Sequence, residues 1–340
     1  MTIDNPTGAE LRRGPFRVGD RVQLTDPRGK MNTITLDPDG ALHTHRGYFK
    51  HADIIGKPEG SVITNSGGIE YLAFRPLLSD YVLSMPRGAA VVYPKDAGQI
   101  VTMADIYPGA RVVEAGVGSG ALTLSLLRSV GDGGQLTSIE LREDFADIAR
   151  GNVEAFFGGP HPAWDLKVGA LSDVLARDFA PGSVDRVVLD MLAPWENIDE
   201  VARVLAPGGV LICYVATASQ LSRINEDLRR YGCFTEPEAW ETLLRSWHLE
   251  GLAVRPDHRM IGHTGFLITT RRTADGVDIP ERKRRPAPGA QRGTSAWGEG
   301  DWQPSELGEA SVPDKKVRRV KKILEDNAAL RPEEESSDNT

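Results

Sequence analysis

Arg111-Val-Val-Glu-Ala-Gly-Val-Gly-Ser-Gly-Ala-Leu-Thr-Leu124 decides how the rest of the chain is read. Val112 and Val113 form a short β-branched apolar run of the kind that fills a buried parallel strand. Gly116, Gly118 and Gly120 punctuate its exit, and Ala121 to Leu127 resumes with helical composition. A strand, a glycine turn and a helix start bring backbone N–H groups and a helix N-terminus to face a ligand at the carboxyl edge of a sheet. Glu114 ends the strand just before the first glycine. Ser138-Ile-Glu140 forms a second strand end further on, with an acid positioned to accept two ribose hydroxyls. Gly116-x-Gly118-x-x-Ala121 also satisfies the dinucleotide fingerprint. The stretch therefore points to an adenosine-bearing ligand, and NAD and S-adenosylmethionine fit it equally.

Bulk properties narrow the class. The 340 residues are 40% hydrophobic and 26% charged, enough for a sizeable core. A net charge of -8 argues against indiscriminate nucleic-acid binding while leaving room for a local basic face. Two cysteines, Cys213 and Cys233, are too few for a disulfide framework or a zinc cluster and suit a reducing compartment. Cys213 lies inside the apolar run 210–215, where packing is its expected role. No apolar run approaches the ~18 residues of a membrane span, and the polar N-terminus has no signal-peptide core, so a cytoplasmic protein is expected.

Reading along the chain divides it into four parts. Residues 1–15 are a polar, loose start. Residues 16–76 alternate in the period-2 manner between Asp-Pro turns, for example Arg21-Val-Gln-Leu-Thr25 before Asp26-Pro-Arg-Gly29, and predict a small β-barrel-like all-β domain. His43, His45 and His51 fall in this part without acid or cysteine partners at ligand spacing, so no metal site is expected. Residues 77–272 open with a short helix over 77–85, a strand-like run over 89–93 and a helix from Pro94. They continue as repeated strand–helix units, ending in a strand pair over 247–254 and 264–270. Repeated βα units mean a doubly wound, mostly parallel α/β sheet. Residues 273–340 are rich in Pro, Gly and charge and read as a disordered tail, with a basic cluster over 315–322 followed by Glu333-Glu-Glu335.

A second stretch carries chemistry. Val187-Val-Leu-Asp-Met-Leu-Ala-Pro-Trp195 leaves the strand expected beside the glycine-loop strand, so it opens onto the same edge. Asp190 supplies a hydrogen-bond acceptor and Trp195 a flat ring on a turn stiffened by Pro194. An enzyme that modifies an extruded purine needs an acceptor for the exocyclic amine and a surface to stack on. The alternative is that Asp190 caps the next helix and Trp195 is core.

Four motifs in order, Tyr93-Pro-Lys-Asp96, Glu114-Ala-Gly-Val-Gly-Ser-Gly120, Asp190-Met-Leu-Ala-Pro-Trp195 and Gly262-His-Thr-Gly-Phe266, resemble the tRNA (adenine-58-N1)-methyltransferase family of the bacterial homo-oligomeric type. The resemblance spans residues 16–272. It implies a Rossmann-like class I methyltransferase domain, S-adenosylmethionine as cofactor, N1 of a T-loop adenine of tRNA as acceptor and a homotetramer. By position it makes Asp190 catalytic, with Tyr93 near the target base. Glu114, Gly116, Gly118, Ser119, Gly120, Ala121 and Leu122 would cradle the cofactor. Glu140 would hold its ribose and Asp173 would lie near its adenine, while Trp195 and His263 would meet the substrate. Ala170 follows Gly169 where the family often has an acid, which is why Asp173 takes that place. Arg12, Arg13, Arg271 and Arg272 are expected to help grip RNA. The rivals are an NAD-dependent oxidoreductase, which lacks a hydride-transfer partner here, and a non-catalytic RNA-binding subunit, which would not need Asp190 intact.

Overall fold

Residues 8–88 and 90–280, with Arg318 and Lys322, are described in the computed structural model. The basic cluster over 315–322, apart from those two residues, and the acidic run after it lie outside the described residues.

The N-terminal part forms β1 (Arg21–Thr25), β2 (Met31–Thr35), β3 (Ala41–Thr44), β4 (Gly47–Lys50), β5 (Ser61–Thr64) and β6 (Glu70–Phe74). Four of these pair antiparallel in the order β2-β1-β6-β5, and β3 and β4 form a separate hairpin. Alternation sets the inner face: on β6, Tyr71 and Ala73 are buried while Glu70, Leu72 and Phe74 face out. The hairpin contributes Phe49, whose ring meets Tyr71 edge-on at 4.6 Å, to a core with Phe16, Leu24, Leu36 and Ile63. Arg75 ties this unit together, pairing with Asp20 at 2.6 Å and Glu59 at 3.0 Å and donating to the carbonyls of Gly14 and Pro15.

After α1 (Leu78–Ser84) and α2 (Pro94–Met103), the α/β unit runs β7 (Arg111–Ala115), α3 (Ala121–Val130), β8 (Gln135–Glu140), α4 (Glu143–Phe157), β9 (Trp164–Val168) and α5 (Leu171–Asp178). It continues with β10 (Val184–Asp190), α6 (Ile198–Val204), β11 (Leu205–Val215), α7 (Ala218–Tyr231), β12 (Glu238–Trp240), β13 (Trp247–Glu250), β14 (Ala253–Pro256) and β15 (Phe266–Arg271). The sheet order is β12-β15-β11-β10-β7-β8-β9, parallel from β11 to β9. Apolar runs pack on both faces: Val112 and Val188 join the core under α2 and α3, whereas Val113 and Val187 join that under α5, α6 and α7. The chain leaves β7 toward β8 and β9, then returns to β10 on the other side of β7. That reversal opens a crevice at the carboxyl ends of β7 and β10. Among the described residues no helix is long and apolar enough to cross a membrane.

Two expectations are corrected, and one helix is added. The run ending at Tyr93 is not a strand: residues 90–93 lie outside any strand or helix, and Val91 and Val92 are buried against the core, which an apolar periodicity cannot distinguish from a strand. The segments 247–254 and 264–270 do not pair with each other. β13 pairs with β14 as a separate hairpin, and β15 runs antiparallel between β11 and the three-residue β12, which is too short to carry a pattern. Residues 171–178 form α5, a helix that spacing had not singled out.

Candidate active site

The crevice is built from three strand ends. Gly116 leaves β7 with φ +85°, and a Cβ there would stand 1.7 Å from the backbone carbonyl oxygen of Asp190 at the end of β10. Only glycine lets the two strand ends approach this closely. Asp190 is in register with Tyr214 of β11, so Asp190 and Tyr214 end side by side.

Three carboxylates face this turn. Glu114 is fully buried, and one of its oxygens accepts from Ser138 Oγ at 2.6 Å and Thr123 Oγ1 at 2.8 Å. Its other oxygen, Oε1, is buried without a hydrogen-bond partner. Burial raises the Glu114 carboxyl to about 7 against those two bonds, and the charges of Asp190 and Glu140 add to the rise. Glu140 accepts from the N–H groups of Gly118 at 3.0 Å and Arg142 at 3.1 Å, which fixes it beside the glycine turn. Asp190 is pushed to about 7, mainly by burial and then by Glu140. No basic side chain is among the leading causes of the shift of Glu114 or Asp190. An acidic pocket with an orphaned buried oxygen favours a positively charged ligand and disfavours a pyrophosphate.

The remaining cradle residues surround the turn. Ser119 is buried; its hydroxyl accepts from the Gly88 N–H at 3.2 Å and its carbonyl from Asn152 Nδ2 at 2.9 Å. Gly120 packs on Ala149 of α4, and Ala121 and Leu122 form the buried first turn of α3. Asp173 is exposed in the first turn of α5, just past the strand end where the Gly169 N–H donates to the Glu140 carbonyl at 2.9 Å.

On the other side of Asp190 the first and last motifs interlock. Lys95 Nζ, on a side chain 3% exposed, donates to both oxygens of Asp96, to Thr264 Oγ1 at 2.7 Å and to the Thr242 carbonyl at 2.7 Å. Thr264 Oγ1 in turn donates to Asp96 at 2.6 Å. The Tyr214 hydroxyl group is pushed up to about 12 by burial, partly opposed by its bond to Thr264, while Asp96, Asp190 and Tyr93 add negative influence. Tyr214 lies against Gly265, where a Cβ would stand 2.3 Å from its ring. Tyr93 stands at the N-terminal boundary of α2, makes no side-chain capping bond there and is half-buried in this group.

Trp195 is half-buried against the core under α6 and α7, with the Arg223 guanidinium 5.9 Å from its ring centre. His263 is held by Glu241 at 2.9 Å on one ring nitrogen and the Ala216 carbonyl at 2.9 Å on the other. Both partners are acceptors, so the ring is raised toward its charged form, first by Ala216 and then by Glu241. Arg272 donates to the Ala202 and Thr273 carbonyls and pairs with Asp275, and Arg271 donates to the Gly208 carbonyl. Both are therefore engaged within the fold. Tyr214 and the Lys95–Asp96–Thr264 link were not legible as site residues. Tyr214 reads as the polar end of an apolar strand, and only the β10–β11 register sets it beside Asp190.

Comparison with known proteins agrees with this geometry. Residues 14–63 match the family described as TrmI-like N-terminal, and residues 72–255 match the family described as tRNA methyltransferase complex GCD14 subunit. The tRNA (adenine(58)-N(1))-methyltransferase TrmI of Thermus thermophilus is 33% identical over 249 residues, 73% of this chain and 95% of the relative. A structure described as a SAM-dependent O-methyltransferase from Thermotoga maritima superposes with TM-score 0.72 and 31% identity, covering 80% of this chain and 98% of its own. The tRNA (m1A58) methyltransferase TrmI from Aquifex aeolicus superposes with TM-score 0.67 and 26% identity, covering 77% and 100%. The fold is thus that of S-adenosylmethionine-dependent methyltransferases, with an antiparallel β unit before it.

Proposed function

This chain belongs to the tRNA (adenine-58-N1)-methyltransferase family, and from that premise we infer that it methylates N1 of adenine 58 in the T loop of tRNA, with S-adenosylmethionine as donor. The observation that carries the cofactor reading is the acidic trio of Glu114, Glu140 and Asp190 around the glycine turn, with Glu114 Oε1 orphaned. S-adenosylmethionine is cationic at its sulfonium and its ammonium group, whereas the pyrophosphate of NAD would bring negative charge into the same space. The Glu114 oxygen suits the ammonium group, the Glu140 carboxylate suits the ribose hydroxyls, and the turn 116–120 with the start of α3 suits the methionine part. When bound, the cofactor supplies an electrophilic methyl group.

The protein's own contribution is then positioning and charge. Adenine N1 already carries a lone pair, so no proton has to be removed before attack. Asp190, with no hydrogen bond to its carboxylate among the described residues, is free to accept from the adenine N6 amine. Its negative charge opposes the positive charge that grows on the ring as N1 is alkylated. Tyr93 and Tyr214 flank that position, and the Lys95–Asp96–Thr264 link holds both tyrosine-bearing segments together. Trp195 and His263 would meet the RNA only at the outer rim. N1 lies on the Watson–Crick edge, so the base must leave its stack to reach Asp190.

The homotetramer implied by the family finds support in the β13–β14 hairpin, which exposes Trp247, Leu249, Leu252 and Val254. Such an apolar patch suits burial against a second copy of the chain. Two unpaired cysteines and a tRNA substrate suit the cytoplasm.

The test is to incubate the protein with unmodified tRNA and methyl-labelled S-adenosylmethionine and to map the modified nucleoside. Label in 1-methyladenosine at position 58, with kcat reduced about 10²–10³-fold in Asp190→Ala, is expected. Label on another atom or acceptor would overturn the substrate assignment.

A further inference from the structure

We propose that the arginine-lined cleft between the N-terminal β unit and the α/β unit binds the sugar-phosphate backbone of the RNA substrate. This inference rests on the tRNA reading above and adds a surface to it.

The cleft is about 660 Å³ and is walled by residues 11–12, 17–21 and 75–76 on one side and by Tyr81 and the end of α4 on the other. Its positive charge is not neutralised from within. The one acid in its lining, Asp20, is already engaged by Arg75 at 2.6 Å and by the Arg17 N–H at 2.8 Å. Among the described residues the lining arginines Arg12, Arg17 and Arg21 form no ion pair, and neither does Arg128, which stands on α3 beside the lining residue Phe156 rather than in the cleft wall itself. Arg12 donates to the Pro76 carbonyl, and Arg17 to the carbonyls of Glu10 and Arg13. Arg21 lies 4.6 Å from the centre of the Tyr81 ring, and its Nε is buried without a hydrogen-bond partner. Arg12 and Arg128 both lie over the Phe156 ring, at 5.6 and 5.0 Å from its centre. Burial and the nearby charge of Arg12 hold the Arg128 guanidinium below its ordinary value.

Like charges gathered over one ring, with no carboxylate between them, repel one another, and a phosphate bound between them would relieve that repulsion. Fork-shaped donors suit phosphate oxygens, and aromatic faces beside them suit a nucleic-acid chain. The surroundings explain why the grip is needed here. The chain carries a net charge of -8, and the methyl-transfer crevice is itself acidic, so phosphates are repelled where the base must enter. Phe156, in the cleft wall, stands thirteen residues along α4 from Glu143, which follows Glu140 at the crevice, about 20 Å at the helical rise. An RNA arm with one base in the crevice can therefore reach the cleft.

The experiment uses the full chain, an unmodified tRNA transcript and the variants Arg12→Gln, Arg128→Gln and Arg128→Glu. The dissociation constant for tRNA is read by fluorescence anisotropy across a salt series, beside that for S-adenosylmethionine and the melting temperature. Each Gln variant is expected to weaken tRNA binding about threefold to tenfold and to flatten the log-affinity against log-salt slope by roughly 0.7–0.9. Cofactor affinity stays unchanged. Arg128→Glu is expected to weaken tRNA more than Arg128→Gln, an order that lost packing on Phe156 would not produce. Unchanged tRNA affinity and salt slope in all three, with wild type binding tRNA normally, overturn the proposal alone. Loss of inorganic phosphate binding in the variants with tRNA affinity intact also overturns it, in favour of a small-anion site. Wild type that binds cofactor but neither binds nor methylates tRNA overturns the substrate reading and this inference with it.

Discussion

Gly116→Ala tests the contact on which the crevice depends. The new methyl carbon would stand 1.7 Å from the Asp190 carbonyl oxygen, and ordinary contact begins at 3.4 Å. One strand end must therefore move by about 1.7 Å, the shortfall between those two distances. The φ of +85° adds strain of about 1–2 kcal/mol for a residue with a Cβ. Forced overpacking adds about 1–3 kcal/mol. Together these lower the melting temperature by roughly 5–15 °C for a unit of this size. The catalytic loss should be larger than the stability loss suggests, because a misplacement of about 1 Å in a reacting geometry costs about 10²-fold. We expect kcat/KM for tRNA methylation to fall at least about 10²-fold, measured well below the variant's melting temperature. Gly131→Ala is the control: its φ is +64° but nothing lies within 4 Å of the added Cβ. It should lose stability and keep its rate. If Gly116→Ala acts by displacing the Asp190 carboxylate, it should cost little in an Asp190→Asn background, giving a coupling energy of about 2 kcal/mol or more. Gly116→Ala that stays folded with a rate within threefold of wild type would refute the reasoning. So would a double variant that loses the full product of the two single losses.

Two further outcomes follow from the site's charges. Glu114 and Asp190 both stand at about 7, so a cationic cofactor should bind more tightly as pH rises through 7 and should release protons on binding there. Calorimetry in two buffers of different ionisation enthalpy measures this, and binding that is independent of pH with no proton release would contradict it. With no ligand bound, the folded state keeps protons that the unfolded chain loses between about pH 4 and 7. Stability should therefore fall as pH rises through that window, and added S-adenosylmethionine should restore it; a melting temperature that rises over the same window would reverse the sign. Lys95→Met leaves Asp96, 0% exposed, without its cation, and should cost about 3–5 kcal/mol in denaturant unfolding. Adding Asp96→Leu to that variant should recover part of the loss, and a double variant less stable than Lys95→Met would argue against the pairing.

Local periodicity and glycine placement made most of the fold legible before any coordinates. The run 111–124 carries its strand, turn and helix within consecutive residues, and the strand ends at Glu140 and Asp190 are marked by an acid after an apolar run. Where burial lacked a partner, the same signal misled: Val91 and Val92 pack outside any strand or helix. Where pairing lacked length, there was no signal, as in β12. The two arginines at the end of β15 looked free in the sequence, whereas the fold uses their donors on its own carbonyls.

Composition, spacing and motif order by themselves determined the α/β class, the β unit before it, the glycine turn and the two strand-end acids. Each of these is written within a few neighbouring residues, where steric and periodic rules act directly. Only the tertiary structure decided that Tyr214 stands beside Asp190, that Lys95 and Asp96 clasp Thr264, and that Arg12 and Arg128 share one aromatic ring. Those pairs are separated by 24, about 169 and 116 positions, and what joins them is strand register and the docking of packed units, which act at a distance no local pattern encodes.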